Sequence, residues 1–199
     1  MASVVDWWAV ACVRHTVEYV AKPAATLLFL ASALALDPAN SDVRTWFCAA
    51  LVLCVAGDVF LMLPVDAFVP GLGAFLVAQI CFAIGFAQYG LSAGDLALGA
   101  GIVAVIAIPL ATRFVRALVR RDQRVLVVPV LAYVAALAAM VTTAVAGANG
   151  WGIAGALLFL SSDSLIGEQR FVAERAWMPV AIMVTYHAAL ALLVVSVVP

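Results

Sequence analysis

The chain has 199 residues, of which 67% are hydrophobic and 11% are charged, and its formal net charge is −1. A soluble domain is about half apolar and about a quarter charged, so this chain lacks the polar surface that a soluble domain needs. The small net charge gives no indication of nucleic-acid binding. Composition therefore excludes an ordinary soluble domain and indicates an integral membrane protein, whose lipid-facing residues are apolar as well.

Seven hydrophobic runs reach or approach the roughly 20 residues that a membrane-spanning helix needs. They cover residues 18–36, 44–63, 71–89, 95–113, 125–146, 151–167 and 179–198. The connections are short, so we expect sequential helices to be antiparallel neighbours. The sequence predicts an all-α, polytopic transmembrane helix bundle that forms a single domain over residues 1–199.

The N-terminal residues 1–17 precede these runs and carry Trp7 and Trp8. Tryptophan is enriched at the level of the lipid headgroups. We therefore expect an interfacial or partly inserted segment here, and full insertion would raise the number of spanning helices from seven to eight.

A cluster of basic residues between the fourth and fifth runs sets the expected orientation. Its members are Arg113, Arg116, Arg120, Arg121 and Arg124. The positive-inside rule places this connection in the cytoplasm. We expect an integral protein of the bacterial plasma membrane, with the first run starting on the cytoplasmic side.

Two carboxylates, Asp58 and Asp163, lie inside the second and sixth runs. A charge at the centre of a spanning helix costs roughly 2.5–3.5 kcal/mol on insertion scales, so such residues are candidates for function. Both precede the cytoplasmic end of a helix by about one turn, which predicts that they lie at the same depth. Five other polar residues are predicted in this layer: Lys22, Gln79, Tyr133, Tyr186 and His187.

Several short motifs follow one another in a fixed order from residue 22 to about residue 195. They are Lys22-Pro23, Gly57-Asp58, Leu61-Met62, Ala78-Gln79, Pro129 with Tyr133, Ser162-Asp163 and Thr185-Tyr186. In order and spacing they resemble the YhhN-like lysoplasmalogenase family of integral membrane proteins. The chain departs from that family at Gln79, where histidine is common, and at Leu190, where a polar residue is common.

The resemblance implies hydrolysis of the vinyl ether bond of a lysoplasmalogen, which yields a fatty aldehyde and a glycerophospho-base. The reaction needs one carboxyl group that donates a proton to carbon and one that stays ionised, and Asp58 and Asp163 suit these roles in either order. Lys22 is expected to meet the lipid phosphate or to hold one aspartate ionised. The remaining substrate-binding candidates are Gln79, Tyr133, Ser162, Tyr186 and His187.

Other functions compete with this interpretation. Intramembrane acids also serve proton-coupled small transporters, and a non-catalytic lipid-binding protein would share the same fold. A retinal-binding protein is disfavoured because Lys22 begins its helix instead of lying in the middle. We expect neither a metal nor a cofactor, since the chain has only two histidines. The expected partners are a lysophospholipid substrate and the lipid bilayer, and the sequence leaves the oligomeric state open.

Overall fold

The computed structural model describes residues 1–198, which form eight α-helices and no β-strand. The helices are α1 (Ala2–Ala11), α2 (His15–Ala35), α3 (Ser41–Met62), α4 (Phe68–Ala87), α5 (Ala93–Arg120), α6 (Val127–Gly147), α7 (Gly150–Gly167) and α8 (Met178–Val195). Seven of them, α2 to α8, are long and apolar enough to cross a membrane. The predicted all-α transmembrane bundle is therefore confirmed.

Two helix ends differ from the sequence prediction by five residues or more. Helix α5 continues to Arg120 instead of ending near residue 113, because the intervening residues include no proline or glycine and long arginine side chains reach the membrane surface from a helix. Helix α7 does not stop at Gly167 but continues through a π-helical turn, Glu168–Val172. The connection between α7 and α8 therefore begins only after this turn.

Six helices form a closed ring, and the ring order is not simply the chain order. Contacts join α2 to α3, α3 to α4, α4 to α6, α6 to α7, α7 to α8 and α8 back to α2. Helix α5 packs outside the ring against α6, so α4 and α5 are not close neighbours and the prediction for this pair is wrong. Gly90, with a φ of 85°, lies in the connection after α4. Such a residue permits a sharp change of chain direction at little steric cost.

Glycines such as Gly57, Gly155 and Gly167 allow some of these helices to approach one another closely. A Cβ atom on Gly155 would lie 2.9 Å from Leu193 Cγ and 3.0 Å from the Leu193 backbone nitrogen in α8. A Cβ atom on Gly57 would lie 2.5 Å from the Phe75 ring of α4. Small residues at these contacts replace the hydrophobic driving force that is absent between helices in lipid.

Helix α1 is too short to span the membrane. Its ten residues extend about 15 Å, which is half of the roughly 30 Å hydrocarbon core. It packs against α2 and α8 and there buries Asp6 completely, with no hydrogen-bond partner for either carboxylate oxygen among residues 1–198. Burial raises the pKa of Asp6 from 3.8 to about 6, although the charge of Lys22 opposes this rise.

The tight contact at Gly155 predicts that Gly155→Ala lowers stability, because an added methyl group overlaps backbone as well as side chain of α8. Overpacking of this kind costs about 1–3 kcal/mol. Thermal unfolding in detergent should show a lower Tm for this variant. Gly73→Ala is the matched control, since a Cβ at this exposed position meets nothing within 4 Å. Equal Tm values for both variants would contradict the packing observed here.

The buried Asp6 predicts a pH dependence of stability. Because the pKa of Asp6 is higher in the folded chain than the unfolded value of 3.8, the folded chain binds this proton more tightly. Its contribution to stability is present below pH 3.8 and is lost as the pH rises to about 6. Asp6→Asn should therefore gain Tm relative to wild type across this window, whereas Asp42→Asn, at an exposed position, should not. A constant difference between wild type and Asp6→Asn at every pH would contradict the prediction.

Candidate active site

A layer of buried polar side chains occupies the interior of the ring, and every ring helix contributes to it. Its members are Lys22 and Thr26 from α2, Asp58 from α3, Gln79 from α4, Tyr133 from α6, Asp163 from α7 and Tyr186 from α8. Each is at most 8% exposed. Polar groups with so little access to water must find partners in the protein.

Asp58 receives hydrogen bonds from two hydroxyl groups. Thr26 Oγ1 donates to Asp58 Oδ2 at 2.7 Å, and Tyr186 Oη donates to the same oxygen at 3.0 Å. The Lys22 ammonium lies 3.6 Å from Asp58 Oδ1, which is an ion pair but is too long for a hydrogen bond. Oδ1 has no hydrogen-bond donor among residues 1–198. Asp58 is thus paired with a cation and keeps one acceptor oxygen free.

Asp163 has a different set of partners. The Tyr133 hydroxyl donates a hydrogen bond to Asp163 Oδ2, and Gln79 Nε2 donates to this oxygen at 3.2 Å. In the part of the chain described, no basic side chain lies within ion-pair distance of Asp163. The two carboxyl groups of the site therefore differ in their electrostatic environment.

Local sequence explains why these groups meet. Lys22 and Thr26 are four residues apart on α2 and so lie on one face of the helix. Gly57, directly before Asp58, admits the Phe75 ring against α3, which draws α4 and its Gln79 toward the site. Tyr186 packs edge-to-face on Phe75, with ring centroids 5.9 Å apart.

A small cavity of about 10 Å³ lies beside both carboxyl groups, since Lys22, Asp58, Ser162, Asp163 and Tyr186 all line it. It shares lining residues with two neighbouring cavities. On one side, Asp163 and Tyr133 border an apolar cavity whose other walls are aromatic and aliphatic. On the other side, Lys22 borders a wider cavity that also contains Glu18 and Arg170. The carboxyl groups thus lie between an apolar space and a charged one.

The remaining predicted residues are placed differently. Ser162 lines the central cavity, but its hydroxyl donates to the Ile182 backbone oxygen at 3.1 Å. His187 does not line the cavity; its Nδ1 accepts a hydrogen bond from Trp7 Nε1 of α1 at 2.9 Å, so Nε2 carries the proton. His187 therefore connects α1 to the bundle.

Sequence reasoning missed Thr26, Glu18 and Arg170. The spacing of Thr26 from Lys22 was a usable signal, because residues at i and i+4 share a helix face. Glu18 and Arg170 carried no such signal, since a charged residue near a helix end usually faces solvent. Among the described residues, no group of three His, Cys, Asp or Glu side chains is arranged to bind a metal ion.

The chain is similar in sequence to several known lysoplasmalogenases. A lysoplasmalogenase of Mycobacterium bovis is 33% identical over 179 residues, which cover 88% of this chain and 68% of that protein. The lysoplasmalogenase of Mycobacterium tuberculosis matches to the same extent. Human lysoplasmalogenase TMEM86B is 34% identical over 149 residues, covering 74% of this chain and 61% of that protein. No solved structure matches the chain.

These relatives support the prediction that the chain is a membrane enzyme of the same type. The sequence model of one family, described as the YhhN family, matches residues 17–197, which include α3 to α8 and all but the first two residues of α2, but not α1. Since this match extends over nearly the whole chain and the relatives reach 33% identity, the protein belongs to the YhhN family.

Proposed function

We propose that this protein hydrolyses the vinyl ether bond of lysoplasmalogens with the carboxyl groups of Asp58 and Asp163. The observation that supports this most directly is that both groups line one small cavity but have different partners. Vinyl ether hydrolysis requires such a difference, because one carboxyl group must supply a proton while the other stays anionic. The names of the mycobacterial and human relatives indicate the substrate.

Asp163 is the proton donor in this proposal. A carboxylate buried without a cation is costly, so the neutral acid is favoured where no basic side chain is near. Tyr133 and Gln79 both donate to Oδ2, and this leaves Oδ1 to carry the proton. The apolar cavity beside Asp163 then receives the hydrocarbon chain whose double bond is protonated.

Asp58 is the anionic partner. Lys22 balances its charge, and the hydroxyl groups of Thr26 and Tyr186 hydrogen-bond its Oδ2. Hydrogen bonds to an ionised acceptor are roughly twice as strong as neutral ones. The free oxygen Oδ1 is available to stabilise a positive charge on the substrate and to orient a water molecule.

The reaction proceeds in three balanced steps. Asp163 transfers its proton to the β-carbon of the vinyl ether, and the electron pair of the double bond forms the new C–H bond, so that an oxocarbenium ion results. Water adds to the cationic carbon and gives a proton back to Asp163, which regenerates the acid. The hemiacetal then breaks its bond to the glycerol oxygen, and that oxygen takes the hydroxyl proton as the fatty aldehyde leaves.

Loss of either carboxyl group should abolish this chemistry. We expect Asp163→Asn and Asp58→Asn each to lower kcat at least about 100-fold, the usual contribution of a positioned acid or of charge stabilisation. Aldehyde release from lysoplasmenylcholine and lysoplasmenylethanolamine, with and without EDTA, measures the effect. Asp42→Asn, at the opposite end of α3, is the control. Correctly folded aspartate variants with full activity would contradict the mechanism.

Protonation at carbon leaves an isotopic mark on the product of the wild-type enzyme. Hydrolysis in D₂O should place one deuterium on the carbon next to the aldehyde group. In H₂¹⁸O the glycerophospho-base should stay free of ¹⁸O, because water adds to the vinyl carbon. Label in its new hydroxyl group would show that the glycerol C–O bond breaks instead, and liposome flux without any aldehyde would indicate transport.

We also propose that the charged cavity lies on the cytoplasmic side of the bacterial plasma membrane. Its support is that Arg121, at the end of α5, donates to the backbone oxygens of Arg170 and Val172, so the basic cluster and the charged cavity share one end of the bundle. The exposed Cys12, between α1 and α2, should therefore react with a membrane-impermeant maleimide in inverted vesicles and not in intact cells. Labelling in intact cells would reverse the orientation.

A further inference from the structure

The charged cavity beside the proposed active site has a volume of about 250 Å³ and lies between α2, α8 and the π-helical turn after α7. Three charged side chains and one amide line it, and the rest of its wall is mainly apolar. The polar residues are Glu18, Lys22, Gln169 and Arg170. The mechanism above uses only Lys22, so Glu18 and Arg170 have no role in it.

We infer that this cavity binds the zwitterionic headgroup of the substrate, with the phosphate between Lys22 and Arg170 and the terminal ammonium group at Glu18. This inference rests on the proposed function and adds a subsite to it. The chemical class that it selects is a lysophospholipid whose phosphate carries an amine, such as choline or ethanolamine.

The order of the charged residues along α2 supports this placement of the headgroup. Lys22 borders both the central cavity and the charged cavity, whereas Glu18 borders the charged cavity alone. Glu18 lies one helical turn, about 6 Å, from Lys22 along the helix axis. The cavity therefore presents a cation next to the carboxyl groups and an anion farther from them. A lysophospholipid has the complementary order, because its phosphate follows the glycerol and its ammonium group comes last.

Arg170 is held in a position that suits a phosphate. Its Nη2 donates to Asp66 Oδ2 at 2.6 Å, and its guanidinium group lies over the Phe68 ring, 5.0 Å from the centroid. The same hydrogen bond lowers the pKa of Asp66 below its usual value. The other N–H groups of Arg170 have no acceptor among residues 1–198, so an edge of the guanidinium remains free. Arginine presents such an edge to phosphate with two parallel hydrogen bonds.

Glu18 is placed to meet a cation from the substrate. Its side chain is 23% exposed, and its nearest basic contact is the His15 ring at 3.4 Å, which is charged only when protonated. Lys22 is engaged with Asp58 and forms no ion pair with Glu18. A partly desolvated carboxylate without a permanent cation attracts an ammonium group more strongly than an exposed one does.

Two vinyl ether substrates with the same hydrocarbon chain test this assignment. One carries phosphocholine, and the other carries phosphate alone. We expect Glu18→Gln to lower kcat/KM for the phosphocholine lipid roughly fivefold and to leave the phosphate lipid unchanged. Arg170→Gln should lower kcat/KM for both lipids by similar factors. Glu174→Gln is the matched control and should change kcat/KM for neither lipid. Glu174 is an exposed acid in the connection between α7 and α8 and does not line the charged cavity.

Other outcomes would contradict the headgroup assignment or the proposed function. If Glu18→Gln lowers kcat/KM for both lipids equally, or for neither, the headgroup assignment is wrong while hydrolysis itself stands. If the wild type hydrolyses neither lipid, the proposed function fails, and binding of the saturated alkyl ether analogues in nanodiscs decides the headgroup assignment. A loss of affinity in Glu18→Gln that is confined to the phosphocholine analogue would still support it, and equal affinities would overturn it.

Discussion

The structure depends on one constraint, which is the cost of burying two carboxyl groups inside a membrane protein. A polar group in hydrocarbon has no water to bond with, so its partners must come from the protein itself. Asp58 and Asp163 obtain donors from four different helices, α2, α4, α6 and α8. The ring of six helices is the arrangement that brings these donors together. The hydrogen bonds of the polar layer thus connect helices that are distant in the sequence and stabilise the ring.

The position of the polar layer suits the binding of an amphipathic lipid in the proposed function. Leu61 and Ile166 line all three spaces: the apolar cavity, the central cavity and the charged cavity. These two side chains therefore lie where the apolar cavity meets the charged cavity. A lysoplasmalogen has its vinyl ether between hydrocarbon and headgroup, so in our proposal the division of the substrate corresponds to the division of the site.

The two carboxyl groups illustrate how environment separates the roles of identical residues. Lys22 gives Asp58 a counter-ion, whereas Asp163 has only a hydroxyl and an amide as neighbours. In our proposal this single difference decides which group is the acid. Gln79 matters here because it donates a hydrogen bond to Asp163 without adding a titrating group.

The sequence by itself determined the bundle, the seven spanning segments and the residues that qualify for a site, because apolar runs of bilayer length and intramembrane charges are local properties of the chain. The four-residue spacing of Lys22 and Thr26 was also present in the sequence, but sequence reasoning overlooked Thr26. Only the tertiary structure decided that α5 leaves the ring, that His187 bonds to Trp7, and that Lys22 pairs with Asp58 and not with Asp163. These outcomes depend on which helices become neighbours, and short motifs on separate helices carry no information about that.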